Sequence, residues 1–351
     1  MDLTTEERKQ YNRHLILDKI GVEGQLKLKN AKVLVVGAGG LGCPILQYLT
    51  AVGVGTIGVI DNDTVSQSNL QRQILYTIND VGISKAVAAV KRLSQLNPFV
   101  KFNTYNEQLT IQNAISLFNA YDVVVDGSDN FSTRYLTNDA SIITDTPLVY
   151  GAIFKFEGQV SVFNYKGSAT YRCLYPVPPK PEASLNCSEI GVIGVLPGII
   201  GSLQANETIK IICELGDVLA NKLLMYDTLT MRQMILNFKR VESSQVDALE
   251  QDYDLFCGID NSNEEITLEA LEKNKNKYHL LDVRETSERK EYHIGGQHIP
   301  LGEIIEKMKE IPKNKNIVVY CKSGGRSKRA IQALIENKYK GKLINLKGGC
   351  F

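Results

Sequence analysis

The stretch that decides the fold is residues 32–61, KVLVVGAGGLGCPILQYLTAVGVGTIGVID. Its apolar run at 33–36 predicts a strand, a glycine-rich turn follows, and 44–52 has the pattern of a helix. A second apolar run predicts another strand, which ends on Asp61. Glycines let the backbone approach a phosphate closely, and the free N–H groups at the start of a helix favour an anion. The stretch therefore predicts an α/β nucleotide-binding unit in which Asp61 accepts hydrogen bonds from a ribose.

Length and composition predict a two-domain protein of the cytoplasm. The chain has 351 residues, and its 40 Lys and Arg balance 39 Asp and Glu, so nothing indicates a nucleic-acid partner. The longest uncharged run, 190–206, is punctuated by glycine and proline, which favours a buried segment over a membrane span. Seven scattered cysteines indicate reduced thiols, as expected in a cytosol.

Polar side chains follow the predicted strands at the ends where open α/β sheets bind ligands. The loop at 62–73, NDTVSQSNLQRQ, is too polar for a core element and follows the second strand. Lys85 falls in the first turn of a helix predicted over 82–96, where a basic residue opposes the helix dipole. That cost suggests that Lys85 faces an anion, although a surface lysine explains the pattern equally well. Asp129 lies just past a buried-type strand, DVVVD, at 122–126.

Three further segments complete the expected elements of the first domain. Thr4 and Glu7 form a capping-box pattern, which predicts a helix continuing through YNRHLIL, with Arg13 on it. From spacing alone, Arg13 belongs to a solvated helix face. A helix is predicted at 110–121 and an irregular loop at 171–187.

A polar, weakly patterned segment at 241–265 places the domain boundary, so that we expect domains at 1–255 and 264–351. The second domain has strand patterns that indicate a smaller α/β unit. There Cys321 ends a strand and begins the sequence CKSGGRS. Loop amides and a following helix would cradle an anionic sulfur, and we expect the thiol to be accessible. A cysteine-based phosphatase is the alternative, but its arginine usually lies six residues after the cysteine, and Arg326 is five after.

Most of residues 8–238 resemble the MoeB/ThiF family, the prokaryotic relatives of ubiquitin-activating enzymes. The glycine turn alone would be weak evidence, because dehydrogenases share it. The loop SNLQRQ and the stretch DGSDN are more specific. The sequences DVRE at 282–285 and CKSGGRS at 321–327 resemble a single rhodanese domain. The resemblance implies a Rossmann-like domain with a mostly parallel sheet, followed by a small rhodanese-like α/β domain.

The activity implied by this resemblance is ATP-dependent adenylylation of the C-terminal glycine of a ubiquitin-like sulfur carrier ending in Gly-Gly. The carrier would be of the molybdopterin synthase type or of the thiamin type. By resemblance, Arg72 and Lys85 bind the triphosphate, Asp129 binds Mg²⁺ and Asp61 binds the ribose. The residues near the nucleotide are Gly39, Gly40, Asn69 and Asn130. The resemblance also implies a homodimer, in which Arg13 reaches the ATP of the partner subunit.

Sulfur transfer is implied for the second domain. Cys321 would carry a persulfide supported by Arg326, with sulfur from a donor such as a cysteine desulfurase. Cys187 matches the family position of a thiol that can bond covalently to the carrier, although a spectator cysteine is an equal alternative.

Many family members bind zinc through two C-x-x-C pairs, but only Cys173 and Cys257 remain here, with Thr170 and Asp254 in the other places. We therefore expect no zinc, since structural zinc usually takes four Cys or His ligands.

Two other functional classes remain open at this stage. An NAD-dependent oxidoreductase would use the same glycine turn but leaves SNLQRQ, Lys85 and the second domain unexplained. A non-catalytic scaffold for a ubiquitin-like partner would not need the set formed by Arg72, Lys85, Asp129 and Cys321.

Overall fold

The computed structural model of this chain describes residues 2–179, 191–258 and 264–350, and it contains two β-sheets. The strands are β1 (Lys32–Val36), β2 (Thr56–Ile60), β3 (Lys101–Tyr105), β4 (Val123–Asp126), β5 (Leu148–Phe154), β6 (Glu157–Phe163), β7 (Lys222–Asp227), β8 (Arg232–Asn237), β9 (Glu265–Ile266), β10 (Tyr278–Asp282), β11 (Gln297–His298), β12 (Asn316–Tyr320) and β13 (Lys342–Leu346). The α-helices in the described residues are α1 (Thr5–Gln10), α2 (Asn12–Leu15), α3 (Gly21–Asn30), α4 (Gly42–Ala51), α5 (Lys85–Leu96), α6 (Ala114–Phe118), α7 (Phe131–Thr144), α8 (Tyr171–Leu174), α9 (Leu196–Cys213), α10 (Tyr253–Phe256), α11 (Leu268–Lys273), α12 (Thr286–Glu291) and α13 (Gly325–Glu336).

The larger sheet has eight strands in the order β3-β2-β1-β4-β5-β6-β7-β8. The first five strands in this order, β3, β2, β1, β4 and β5, are parallel to one another, and β6, β7 and β8 follow as antiparallel neighbours. From β1 the chain moves outward to β2 and β3 and then returns to β4 on the other side of β1. Such a reversal opens a crevice at the carboxyl ends of the two central strands. The predicted Rossmann-like, mostly parallel sheet is confirmed.

The glycine turn between β1 and α4 has the close packing that its sequence predicts. Gly37 has a φ of 90°, in the left-handed region that favours glycine. A Cβ on Gly42 would stand 2.0 Å from the carbonyl oxygen of Gly37, which no side chain could tolerate. Helix α4 can therefore begin directly over the end of β1.

Two cysteines of this unit, Cys43 and Cys213, lie in its apolar core. The Cys43 thiol donates to the Ala38 carbonyl at 3.6 Å, and burial raises its pKa to about 12. Cys213 is also buried, and burial raises its pKa to about 11. Both are neutral packing residues near pH 7.

Several element boundaries differ from the sequence prediction. The helix expected over 82–96 begins only at Lys85, because the Ser84 hydroxyl caps it by accepting from the Val87 N–H. The Thr4 capping box is present, but its helix is interrupted at Tyr11. Helix α6 is shorter than predicted, and α8 forms inside the segment expected to be irregular.

The smaller sheet is fully parallel, in the order β11-β10-β12-β13-β9. It belongs to a second compact unit that begins at Cys257, whereas the first ends at Phe256. The domain limits 1–255 and 264–351 stay predictions. Within the three described ranges, no helix has the length and apolarity needed to cross a membrane.

Candidate adenylylation and sulfur-transfer sites

A cavity of about 410 Å³ lies at the carboxyl ends of the central strands of the larger sheet. It is the size of an ordinary small-molecule site. Its lining includes the predicted residues Gly39, Gly40, Asp61, Arg72, Lys85, Asp129 and Asn130. The crevice created by the strand order therefore brings together residues that are up to ninety positions apart in the sequence.

Lys85 meets an anion, as its position in the first helical turn suggested. Its Nζ lies 2.8 Å from Oδ2 of Asp63, and its side chain is 8% exposed against 65% for Asp63. The backbone N–H of Lys85 also donates to the carbonyl of Asp63 at 2.9 Å. The ammonium group is thus held at the cavity by a carboxylate that stands mostly in water, where a phosphate could compete for it.

Asp61 fixes the shape of the glycine turn as well as facing the cavity. Its Oδ2 accepts from the Ala38 N–H and its Oδ1 from the Asp63 N–H, both at 2.8 Å. Burial raises the pKa of Asp61, against the opposing effects of Lys85 and these N–H donors. Each carboxylate oxygen has a second lone pair, so the group can still accept from a ribose.

The remaining lining residues come from the loop after β2 and from the start of α7. Arg72 donates to the Ser68 carbonyl at 3.3 Å, while Asp129 is exposed within the cavity. Asn130 caps α7, because its Oδ1 accepts from the Thr133 N–H at 2.8 Å. Asn130 therefore has a structural task beside the predicted nucleotide contact.

Three predicted residues are not placed at this cavity. Asn69 is not among the lining residues, and its Oδ1 accepts from the Ser66 N–H at 3.2 Å inside a short turn. Arg13 lies on the exposed face of α2, away from the cavity of its own chain. Cys187 lies outside the described residues.

Sequence reasoning missed two polar side chains in the cavity lining. Gln73 and Ser128 are buried, yet Oε1 of Gln73 and Oγ of Ser128 have no hydrogen-bond partner among the described residues. Buried polar atoms normally have partners, so these two are suited to a bound ligand. The signal was available for Gln73, which directly follows Arg72 in the SNLQRQ loop.

The arrangement of His, Cys, Asp and Glu side chains bears on metal binding. The described ranges contain no group of three or more His, Cys, Asp or Glu side chains arranged to hold a metal ion. Mg²⁺ on ATP does not require one, because phosphate oxygens and waters supply most ligands and one or two carboxylates suffice. The exposed Asp129 carboxylate in the cavity fits that role.

Cys173, from the degenerate zinc pairs, is surrounded by protein hydrogen-bond partners. Its Sγ lies 3.0 Å from Oγ of Ser244 and accepts from the N–H groups of Thr170 at 3.3 Å and Val241 at 3.4 Å. Burial would raise the pKa of this thiol, but the hydrogen bonds from Ser244 and Thr170 outweigh it, so the pKa lies below its ordinary value. The absence of zinc stays a prediction.

In the second unit, Cys321 directly follows β12 and faces the loop that leads to α13. The Gly324 N–H donates to its Sγ at 3.1 Å, which is the predicted amide support for a sulfur anion. The thiol is more buried than expected, at 1% exposure. The cause is the chain after β13, where the Cys350 N–H donates to the Cys321 carbonyl at 3.0 Å and Gly349 packs against the backbone of Lys322.

Arg326 forms an ion pair with Glu288 on α12. Its two terminal nitrogens each lie 2.6 Å from a carboxylate oxygen of Glu288. The hydrogen bond from Arg326 holds the pKa of Glu288 below its ordinary value. Glu288 therefore offsets much of the Arg326 charge, and the support of the sulfur by Arg326 stays a prediction.

Comparisons with known proteins identify the families to which the two parts of the chain are similar. The ThiF family matches residues 11–248, and the rhodanese-like domain matches residues 267–351. The chain is 40% identical to the probable adenylyltransferase/sulfurtransferase MoeZ of Mycobacterium tuberculosis, over 99% of this chain and 93% of that protein. It is 48% identical to the sulfur carrier protein adenylyltransferase of Thermus thermophilus, over 74% of this chain and 100% of that protein.

A relative from a mosquito also matches most of the chain. The adenylyltransferase and sulfurtransferase MOCS3 of Anopheles gambiae is 40% identical, over 95% of this chain and 82% of that protein. Among solved structures, E. coli MccB with MccA-N7isoASN superposes with a TM-score of 0.61 at 21% identity, over 70% of this chain and 75% of that one. At that identity the superposition supports the fold alone.

Proposed function

The chain belongs to the ThiF family and carries a rhodanese-like domain. On that premise we propose that it adenylylates a ubiquitin-like sulfur carrier, using Asp129 and Lys85 of its cavity, and that it delivers sulfur to the carrier from Cys321. Its class is a nucleotidyltransferase with a sulfurtransferase domain. The observation that carries the proposal is the single cavity that unites the glycine turn with Arg72, Lys85 and Asp129.

The first step is attack of the carrier's terminal carboxylate on the α-phosphorus of ATP. A bond forms between carboxylate oxygen and phosphorus, the bond to the β-phosphate oxygen breaks, and pyrophosphate leaves with the electron pair. Such a transfer depends mainly on alignment and charge stabilisation. Arg72 and Lys85 would face the phosphates, and Gln73 with Ser128 would supply unpaired polar atoms to the ligand. Asp129 would hold the Mg²⁺ that ATP brings, which would stabilise the charge of the leaving pyrophosphate.

The second step uses sulfur carried on Cys321 as a persulfide. Its outer sulfur attacks the acyl carbon of the adenylate, AMP leaves, and an acyl disulfide joins Cys321 to the carrier. A second thiol, for which we propose Cys187, attacks the Cys321 sulfur and releases the carrier thiocarboxylate. The resulting protein disulfide is reset by a dithiol reductant, so that electrons balance. The sulfur donor is a persulfide-forming enzyme such as a cysteine desulfurase.

The assembly proposed is a homodimer in the cytosol. Arg13 is exposed and lies away from its own chain's cavity, which supports a role at the site of a second copy. Exposed Ile74 and Ile78, beside the loop that carries Arg72, provide apolar surface for such an interface. The carrier is of the molybdopterin synthase type or the thiamin type, and the protein that copurifies with the chain decides between them.

The test is isotope exchange between ATP and labelled pyrophosphate. We expect exchange only when a carrier ending in Gly-Gly is present, because the acyl-adenylate must form and reverse. A carrier lacking its last glycine is the matched control. Carrier binding without any exchange would support the scaffold, and hydride transfer with NAD without exchange would support the oxidoreductase; either result would refute the proposal.

A further inference from the structure

Ser327 is a fully buried hydroxyl beside the sulfur of Cys321. It lies in the first turn of α13, at 0% exposure, and its Oγ is 3.5 Å from the Cys321 Sγ. Among the described residues, two polar groups thus lie beside the sulfur: the Ser327 hydroxyl and the Gly324 N–H, which is at 3.1 Å.

The direction of the Ser327 hydroxyl is set by a chain of hydrogen bonds across the sheet. The Asn345 amide group donates to Oε1 of Glu265 at 3.1 Å. A carboxylate only accepts, so Asn345 must present its Nδ2 to Glu265 and its Oδ1 to Ser327, which lies 2.7 Å away. Burial would raise the pKa of Glu265, but hydrogen bonds from Lys328 and Asn345 outweigh it and keep the group ionised near pH 7.

The single proton of Ser327 therefore has two resting acceptors, Oδ1 of Asn345 and the Gly324 carbonyl at 2.9 Å. In that state the hydroxyl oxygen faces the Cys321 thiol and accepts from it. When the sulfur is charged, rotation about the Ser327 C–O bond turns the proton to the sulfur, while the oxygen stays in place.

We propose that Ser327, held by Asn345 and Glu265, is a positioning residue for sulfur transfer at Cys321 and donates a hydrogen bond to the sulfur whenever it carries charge. The inference rests on the proposed role of Cys321. With thiosulfate, the Cys321 thiolate bonds to the sulfane sulfur, and the S–S bond to the sulfonate sulfur breaks as sulfite leaves with the electron pair. When cyanide then takes the outer sulfur as thiocyanate, the S–S bond electrons return to Cys321. The Cys321 sulfur is therefore charged at the start of the first step and again at the end of the second.

The test compares Ser327→Ala with Ser323→Ala in the full-length protein. Ser323 lies in the same loop but is exposed, so its alanine variant is a matched control. Hydrogen bonds to charged groups are worth enough that kcat for thiosulfate and cyanide should fall about tenfold to a hundredfold in Ser327→Ala. The KM for thiosulfate should stay within about twofold, since the loss is in charge stabilisation rather than donor binding.

A second measurement separates positioning from packing. At one fixed pH, the rate of iodoacetamide alkylation of Cys321 should fall in Ser327→Ala, because the thiolate loses a donor. A merely loosened loop would instead expose Cys321 and speed alkylation. Faster alkylation, or a kcat equal to that of Ser323→Ala, overturns the inference.

Different results would refute the proposed role of Cys321 and the inferred role of Ser327. If Cys321→Ser retains sulfurtransferase activity, the proposed role of Cys321 fails. If Cys321→Ser is inactive and Ser327→Ala is fully active, only the role of Ser327 fails.

Discussion

Lys85 and Asp63 illustrate how one residue can be buried and still serve a ligand. The ammonium group is almost inaccessible, so it keeps a fixed position at the cavity, whereas most of its partner carboxylate is in water. Solvent weakens the attraction of an exposed carboxylate, so a triphosphate with several charges can displace it from Lys85. The pair thus fixes the position of Lys85, and under the proposed function the triphosphate would take the place of the Asp63 carboxylate.

Substitution of Asp129 tests the adenylylation proposal directly. Asp129→Ala should lower carrier-dependent ATP–pyrophosphate exchange roughly a hundredfold or more, because the Mg²⁺ that stabilises the leaving pyrophosphate loses its protein ligand. The exchange assay measures this directly. Asp247→Ala is the control, since Asp247 is an exposed carboxylate outside the cavity. Full exchange in Asp129→Ala would remove this residue from the mechanism.

At the scale of elements, the sequence predicted what depends on local pattern. Strands β1, β2 and β4 were recognisable because sheets buried on both faces require continuous apolar runs. The start of α5 was not, because it depends on the Ser84 cap and on the contacts of Lys85 with Asp63, which lies twenty-two residues earlier.

At the two candidate sites, too, local motifs were predictable from the sequence, whereas contacts between distant residues were not. The glycine turn, Arg72, Lys85 and Asp129 were found from motifs, and the structure brings them into one cavity. The burial of Cys321 was missed because its loop packs against Gly349 and Cys350, which lie beyond β13 and are therefore far away in the sequence. The pairing of Arg326 with Glu288 joins α13 to α12 and likewise has no local signal.

Strand β10 ends in a buried ion pair whose stability contribution should depend on pH. Asp282 accepts from Nε and Nη2 of Arg284 at 2.9 and 2.8 Å, and both side chains are fully buried. Burial would raise the pKa of Asp282, but hydrogen bonds from Arg284 outweigh it and hold the pKa below its ordinary value. A carboxyl with a lowered folded-state pKa stabilises the fold above its unfolded-state pKa, and this contribution is lost as the pH falls through the folded-state value.

Asp282→Asn should therefore destabilise the second unit at pH 7 by about 3 kcal/mol, since it leaves a buried arginine without its charged partner. The difference from wild type should shrink as the pH falls below about 4, the pKa of an aspartate in the unfolded chain, because protonation of the unfolded state removes the wild-type advantage. Calorimetric unfolding between pH 7 and pH 3 measures it. Glu269→Gln, which breaks an exposed pair with Lys273, should change little throughout. A deficit that is independent of pH would contradict this assignment.

On the scale of the whole chain, two chemistries are carried by two separate units. Under the proposed function, adenylylation needs the cavity of the first unit, and sulfur donation needs Cys321 in the second. Cys321→Ser should therefore keep ATP–pyrophosphate exchange at the wild-type rate, while thiosulfate sulfurtransferase activity and carrier thiocarboxylation are lost. Mass spectrometry of the carrier detects the product, because replacement of oxygen by sulfur adds roughly sixteen mass units. Wild-type thiocarboxylation by Cys321→Ser would show that sulfur comes from another source.

The proposed homodimer makes a prediction that only mixed subunits can test. If Arg13 acts at the site of the partner, then a dimer of one Arg13→Ala subunit and one Asp129→Ala subunit has one complete site and one doubly defective site. Equal mixing with free subunit exchange should recover roughly a quarter of wild-type exchange activity, because half of the dimers are mixed and each has one site. Each variant alone should be nearly inactive.

The matched control replaces the Asp129→Ala subunit with the double variant Arg13→Ala/Asp129→Ala. That mixture contains no complete site under the trans arrangement, so it should recover nothing. Differently tagged subunits that copurify after mixing establish that exchange has taken place. If Arg13 instead served the cavity of its own chain, neither mixture would recover activity, since no subunit in either one has both residues. Absence of recovery in copurifying mixed dimers would thus exclude the trans role of Arg13.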